Sequence, residues 1–189
     1  MSQSSATPLT PPVGPRDHVQ GSSSAGVTLV AYGDYECPFS RAVHPVIKQL
    51  HQQFGGELRW AFRHFPLTNK HPDAQRAAEA AEAAGAQGKF WEMHEYLFEH
   101  QSALDAGSLN RAAETLGLDT AKFAREVSGR VYADRVGEDR QSGIESGASG
   151  TPTIFINGVR SDEDDEDDFE TLKAKIEAAI GLAKGDDCA

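Results

Sequence analysis

Residues 27–65 constrain the fold more than any other stretch, because their apolar period changes twice. Val27-Thr28-Leu29-Val30-Ala31-Tyr32 is apolar and β-branched, the pattern of a buried strand. From Pro38 onward, Val43, Val46, Ile47, Leu50 and Phe54 fall at helical spacing, and Gly55-Gly56 supply a C-terminal stop. Leu58 to Phe65 returns to strand and ends at Pro66. Strand, helix and strand in this order predict a right-handed parallel crossover, so the chain is expected to be α/β. Pro45 lies inside the helical stretch and predicts a kink, since proline removes one backbone hydrogen bond.

Cys37 stands at the first junction of this unit. Unpaired N–H groups and the helix dipole favour an anion there, so a reactive thiolate is expected. Pro38 suits a first helical turn, where its missing N–H costs nothing. Asp34 and Glu36 oppose a thiolate and are read as solvent-facing, modest modulators. A buried, inert thiol is the competing reading, and a helix start behind Asp34-Tyr35-Glu36 is a poor place to hide one.

Further along, Gly150-Thr151-Pro152-Thr153 runs into Ile154-Phe155-Ile156 and the turn pair Asn157-Gly158. A proline opening a short buried strand removes no needed ladder bond and tolerates a cis peptide. With Cys37-Pro38-Phe39-Ser40 before it, this order resembles the thioredoxin-like proteins of the DsbA type over about residues 17–182. The resemblance implies a thioredoxin-like mixed sheet with an all-helical insertion between a βαβ half and a ββα half. It implies that Cys37 is the catalytic sulfur and that Pro38, Phe39, Thr151 and Pro152 bind substrate. Two features depart from the pattern. Ser40 occupies the place of a second cysteine, and a serine cannot resolve a mixed disulfide, although its hydroxyl can donate to a thiolate. Ala31 occupies the position six before the reactive cysteine, where the resembling proteins often carry a buried, proton-relaying carboxylate.

The helical insertion spans about 71–147. Ala74 to Ala86 is rich in strong helix formers. Phe90, Trp91, His94, Leu97 and Phe98 follow at 3–4 spacing, and Phe90, Trp91, Met93 and Phe98 are read as core rather than as a substrate groove. Leu109, Ala112, Ala113 and Leu116 make another stripe, Asp119 is a helix N-cap, and Tyr132 to Ile144 carries the last helix. The expected organisation is a disordered Pro- and Ser-rich leader over 1–16, with an edge strand near 17–20, and a thioredoxin-like first half over 17–70. The helical insertion over 71–147, a second half over 148–183 and a tail over 184–189 complete it.

Other candidate groups carry less. His44 lies two turns after Cys37 and is read as packing, while His64 and His71 are read as ordinary polar residues beside Pro66. His94-Glu95 and Glu99-His100 place their histidines six apart, not the i, i+4 of a helical zinc site, so no metal is expected. The run Asp162 to Asp168 is read as a solvated stretch that complements a following helix dipole. Cys188, next to last, is read as incidental; its alternative role is to resolve a disulfide at Cys37.

A net charge of −11 disfavours nucleic acid and anionic lipid as partners. Met1 to Gly21 lacks a signal-type apolar core, and no run suits a membrane helix, so the expected location is cytoplasmic. The expected function is a monothiol thiol–disulfide oxidoreductase or isomerase. It acts through Cys37 on protein or glutathione thiols and disulfides, has no bound cofactor, and is resolved by an external thiol such as glutathione. Two alternatives stand beside it: a redox-inactive DsbA-like binding or chaperone module, and a glutathione-dependent transferase of the kappa-class type.

Overall fold

The computed structural model describes residues 7–161 and 167–186, with side chains up to residue 183 in the last segment. Cys188 and Asp162 to Glu166 lie outside the described residues. Two compact units are present. One draws on residues up to 32, on 42–63 and on 142 onward; the other comprises 33–41 and 64–141.

The mixed sheet has five strands: β1 (His18–Gln20), β2 (Val27–Gly33), β3 (Leu58–His64), β4 (Thr153–Ile156) and β5 (Val159–Arg160), in the order β1-β3-β2-β4-β5. The β-branched and aromatic residues read as strands are those that pack its faces. Val27, Leu29, Val30, Tyr32, Leu58, Trp60, Ile154 and Phe155 are all buried. β4 runs antiparallel to β2 with Ala31 opposite Ile154. At the hairpin tip, Asn157 and Gly158 have φ of 48° and 79°, the pair of positive values that a two-residue turn between strands requires. Asn157 Oδ1 also accepts from Thr28 N at 2.8 Å, tying the turn to β2.

Helix α1 (Pro38–Phe54) holds Pro45 within it and ends in a 3-10 turn at Gly55–Glu57. His44, on this helix, is buried with its ring 6.3 Å from that of Trp60, a packing role. The insertion supplies α2 (Ala74–Gly85), α3 (Phe90–Glu99), α4 (Ala106–Thr115), α5 (Thr120–Ser128) and α6 (Ala133–Glu145), and α7 (Phe169–Asp186) closes the chain's helices. The alanines of α2 explain its central place among these helices. Ala77, Ala78, Ala80, Ala81, Ala83 and Ala84 are buried, and side chains this small let α3 and α5 approach closely. Phe90, Met93, Leu97 and Phe98 are likewise core.

Residues 9–12, within the stretch read as a disordered leader over 1–16, bond to the fold, while residues 1–6 lie outside the described residues. Leu9 N donates to Gly158 O at 2.9 Å and Thr10 N to Ser146 Oγ at 2.8 Å. Arg63, on β3, then gathers the next residues. It donates to Pro11 O and Pro12 O, makes a two-point contact with Asp17 at 2.7 and 3.1 Å, and reaches Tyr32 Oη at 3.0 Å. Burial alone would lower the guanidinium's pKa, but the bonds to Asp17 and Tyr32 outweigh it and carry it above the usual value. A composition of Pro and Ser reads as disorder only when nothing in the fold offers its carbonyls a donor.

Helix caps follow the sequence. Asp119 accepts from Lys122 N at the start of α5, and Asp168, the last of the acidic run, accepts from Thr171 N at the start of α7. Asp105 caps α4 by accepting from Gly107 N and Ser108 N. The Ser108 hydroxyl, then the two backbone N–H groups and Arg111, hold the Asp105 carboxyl below its ordinary value. A depressed carboxyl stabilises the fold above its unfolded pKa and loses that contribution as pH falls through the folded one. The wild type is therefore expected to lose its lead over Asp105→Asn in urea midpoint as pH drops from about 5 to about 3. A lead unchanged over that range would contradict the assignment.

Candidate active site

The site is built from the turn that joins β2 to α1, and Asp34 is its hub. Its backbone O accepts from Cys37 N at 3.1 Å, and its backbone N donates to Ser40 Oγ at 3.2 Å. Its carboxylate, fully buried, accepts from Glu36 N (2.8 Å), from Leu67 N (2.8 Å) and from His71 Nδ1 (2.7 Å). Glu36 Oε2 in turn accepts from Asp73 N at 2.8 Å. Both acids therefore turn inward to fix the loop, which corrects their reading as solvent-facing. A buried carboxylate with three donors is a satisfied one, and that is why the turn tolerates it.

A second clamp comes from the segment after α3. Gln101 Nε2 donates to Tyr35 O at 2.9 Å and to Cys37 O at 2.8 Å. Tyr35 is buried, its hydroxyl 2.8 Å from His94 Nδ1 and its ring 4.9 Å from that of Phe98. Burial first, then the carboxylates of Glu82 and Asp139, push the Tyr35 phenol well above its usual value, so it stays neutral and anchors the turn.

Cys37 precedes the first residue of α1, as expected, but it is only 3% exposed. The reading of this helix start as a poor place to hide a thiol is thus corrected. Gln101 holds the carbonyls of Tyr35 and Cys37. Phe39, two residues on, is 70% exposed, and Pro38 is exposed beside it. Ser40 is buried, and the bond that its oxygen accepts from Asp34 N leaves the hydroxyl proton uncommitted. Ala31 is buried in β2 and offers no titratable group.

Thr151 and Pro152 belong to the other unit, where the peptide between them is cis and Thr153 Oγ1 donates to Gly150 O at 2.8 Å. The structure thus groups Cys37, Pro38, Phe39 and Ser40 in one unit and Thr151 with Pro152 in the other.

His64 and His71 are not ordinary polar residues. His64 Nε2 lies 2.9 Å from Glu82 Oε1, and its backbone N donates to Asp139 Oδ2 at 3.0 Å. His64, Glu82 and Asp139 offer three ligand atoms within 4.8 Å of one another, all buried. A cation already serves them, however: Arg135 bonds Asp139 and lies 3.9 Å from Glu82. This arrangement fits an ion-pair network better than a metal centre. Sequence reasoning missed Asp34, His71 and Gln101 as site residues. His71 lies 37 positions from Asp34 and Gln101 64 from Cys37, and no periodicity links positions so far apart.

Comparison with known proteins agrees with this architecture. The thioredoxin family profile matches residues 14–178. Among curated relatives, a Na(+)/H(+) antiporter NhaA 1 from Salinispora arenicola is 45% identical over 173 residues, covering 91% of this chain and 26% of its own length. A protein of the same name from Mycolicibacterium gilvum is 43% identical over 157 residues, covering 80% and 25%. The chain spans about a quarter of the length of these curated relatives. Among the described residues, no helix is long and apolar enough to cross a membrane. Among solved structures, oxidised BdbD from Bacillus subtilis superposes with a TM-score of 0.80 at 24% identity, covering 88% of this chain and 94% of its own. The alpha-DsbA1 protein of Wolbachia pipientis gives 0.79 at 20%, covering 92% and 96%. The chain belongs to the thioredoxin family and has the fold seen in BdbD and alpha-DsbA1.

Proposed function

We propose that the protein is a monothiol thiol–disulfide oxidoreductase or isomerase acting through Cys37. The observation that carries this reading is a cysteine at the start of α1 with a serine, not a second cysteine, one turn further on. A helix N-terminus favours the thiolate, and the thiolate is the attacking species. Cys37 Sγ attacks one sulfur of a substrate disulfide, forms a mixed disulfide and expels the other half as a thiolate. An external thiol such as glutathione then attacks the mixed disulfide, takes the substrate's sulfur and returns Cys37 to the thiolate. Ser40 keeps the role of a hydroxyl that can donate to that sulfur, and the exposed pair Pro38 and Phe39 offers apolar contact to an incoming chain. Thr151 and Pro152 keep the substrate-binding role that the resemblance implies. A monothiol that depends on external thiol suits a reducing compartment, and a cytoplasmic reaction is the reading we adopt.

In a glutathione-coupled assay on an aliphatic disulfide, Cys37→Ala is expected to abolish turnover. Unchanged turnover would refute the reading. Tight glutathione binding with activity surviving Cys37→Ser would instead select the glutathione-dependent transferase. A specific observation favours one second reading. Cys37 at 3% exposure, together with Ala31 and Ser40, suits a DsbA-like module that binds partners without redox work. In that case no mixed disulfide with glutathione forms at Cys37.

A further inference from the structure

Thiol–disulfide exchange that expels a basic thiolate is speeded by a group that takes a proton from the entering thiol and returns one to the departing thiolate, and Ala31 cannot be that group. The active-site turn offers another. His71 Nδ1 lies 2.7 Å from Asp34 Oδ2, and a carboxylate only accepts, so the proton of that bond sits on Nδ1. The carboxylate fixes the ring's orientation and leaves Nε2 as the working nitrogen. The His71 side chain is 18% exposed against 0% for Asp34, and Nε2 has no hydrogen-bond partner among the described residues. The same Asp34 holds Cys37 N through its backbone carbonyl and Ser40 Oγ through its backbone N–H. One residue therefore ties the nucleophile's backbone and an oriented imidazole to the same short loop, all within one compact unit.

We propose that His71, oriented by Asp34, is the proton carrier of the Cys37 exchange, a role that rests on the monothiol reading above. In the first step Cys37 Sγ bonds to one substrate sulfur while the S–S bond breaks. The departing thiolate takes a proton that His71 Nε2–H supplies through solvent. In the second step the external thiol gives its proton to His71 Nε2 as its sulfur displaces Cys37 from the mixed disulfide. The imidazole is protonated and deprotonated once per cycle, and the electrons pass only between sulfurs. Asp34 acts as a positioning residue throughout.

The test compares the wild type, His71→Gln and Asp34→Asn, all in a Cys188→Ser background. Gln keeps a donor for Asp34 but cannot take up or release a proton. Two reactions separate the roles. Exchange with an aliphatic disulfide releases a basic thiolate that needs a proton, whereas an aromatic disulfide with an acidic leaving thiol does not. Iodoacetamide alkylation also needs none, because iodide departs as a stable anion. His71→Gln is expected to slow the aliphatic exchange by on the order of 10²-fold. The aromatic exchange and the alkylation should stay within about twofold, since general acid catalysis is not required there. Asp34→Asn, which releases the ring and also loosens the turn that holds Cys37, should slow the aliphatic exchange more than the other two reactions. Equal slowing of all three reactions, or of none, would overturn the role of His71. Failure of the wild type to exchange with either disulfide would instead sink the monothiol reading itself.

Discussion

Replacing Arg63 with methionine is expected to lower the unfolding free energy by about 3–5 kcal/mol, the cost of leaving one partner of a buried ion pair alone. The side chains of Arg63 and Asp17 are 3% and 6% exposed, so water cannot repair the loss. The substitution also strips donors from Pro11 O, Pro12 O and Tyr32 Oη. The double variant Arg63→Met/Asp17→Leu should recover much of the deficit, because replacing a whole buried pair by apolar groups is often neutral. Urea unfolding of the four variants of this cycle gives both numbers. A double variant as unstable as the sum of the two single ones would mean that the pair is not coupled, and that the N-terminal segment is held by other contacts.

Installing a second sulfur at position 40 is expected to change how a mixed disulfide at Cys37 is released. In the wild type, a mixed disulfide between Cys37 and glutathione should persist once free thiol is removed, because the nearest side chain one turn on is a hydroxyl. In Ser40→Cys the new thiol lies one turn along the same helix, buried beside the turn. It converts a bimolecular release into an intramolecular one, and effective molarities for oriented neighbours reach about 10⁵ M or more. The mixed disulfide should then decay at least about 10²-fold faster, leaving a disulfide between Cys37 and the introduced thiol. Intact-mass spectrometry over time reads both species. A wild-type mixed disulfide that decays as fast without added thiol, and survives only in Cys188→Ser, would assign the resolving role to Cys188 and contradict an external resolver.

The sequence made the scaffold legible and left the site half-read. Strands, helices and caps rest on short-range rules, so the strand at 27–33, the helix at 38–54 and the Asn157-Gly158 turn could be read directly. The motif around Cys37 was equally local. What escaped was everything set by pairing across the chain. Asp34 and Glu36 looked like solvent-facing acids because carboxylates usually are, yet here Leu67 N, His71 and Asp73 N satisfy them inside. The low exposure of Cys37 escaped as well, and so did Gln101, which reaches its carbonyl from far along the chain. The proline-rich start looked disordered because no local rule announces that Arg63 will meet it.

Cys37 must be reachable for any of this chemistry to occur, and at 3% exposure that point is the sharpest one to probe. Iodoacetamide alkylation of the native protein at neutral pH, with peptide mass spectrometry to separate Cys37 from Cys188, measures it directly. The account predicts that Cys37 is modified in the folded state at least as fast as a free thiol at the same pH. Modification of Cys37 only after unfolding would contradict it.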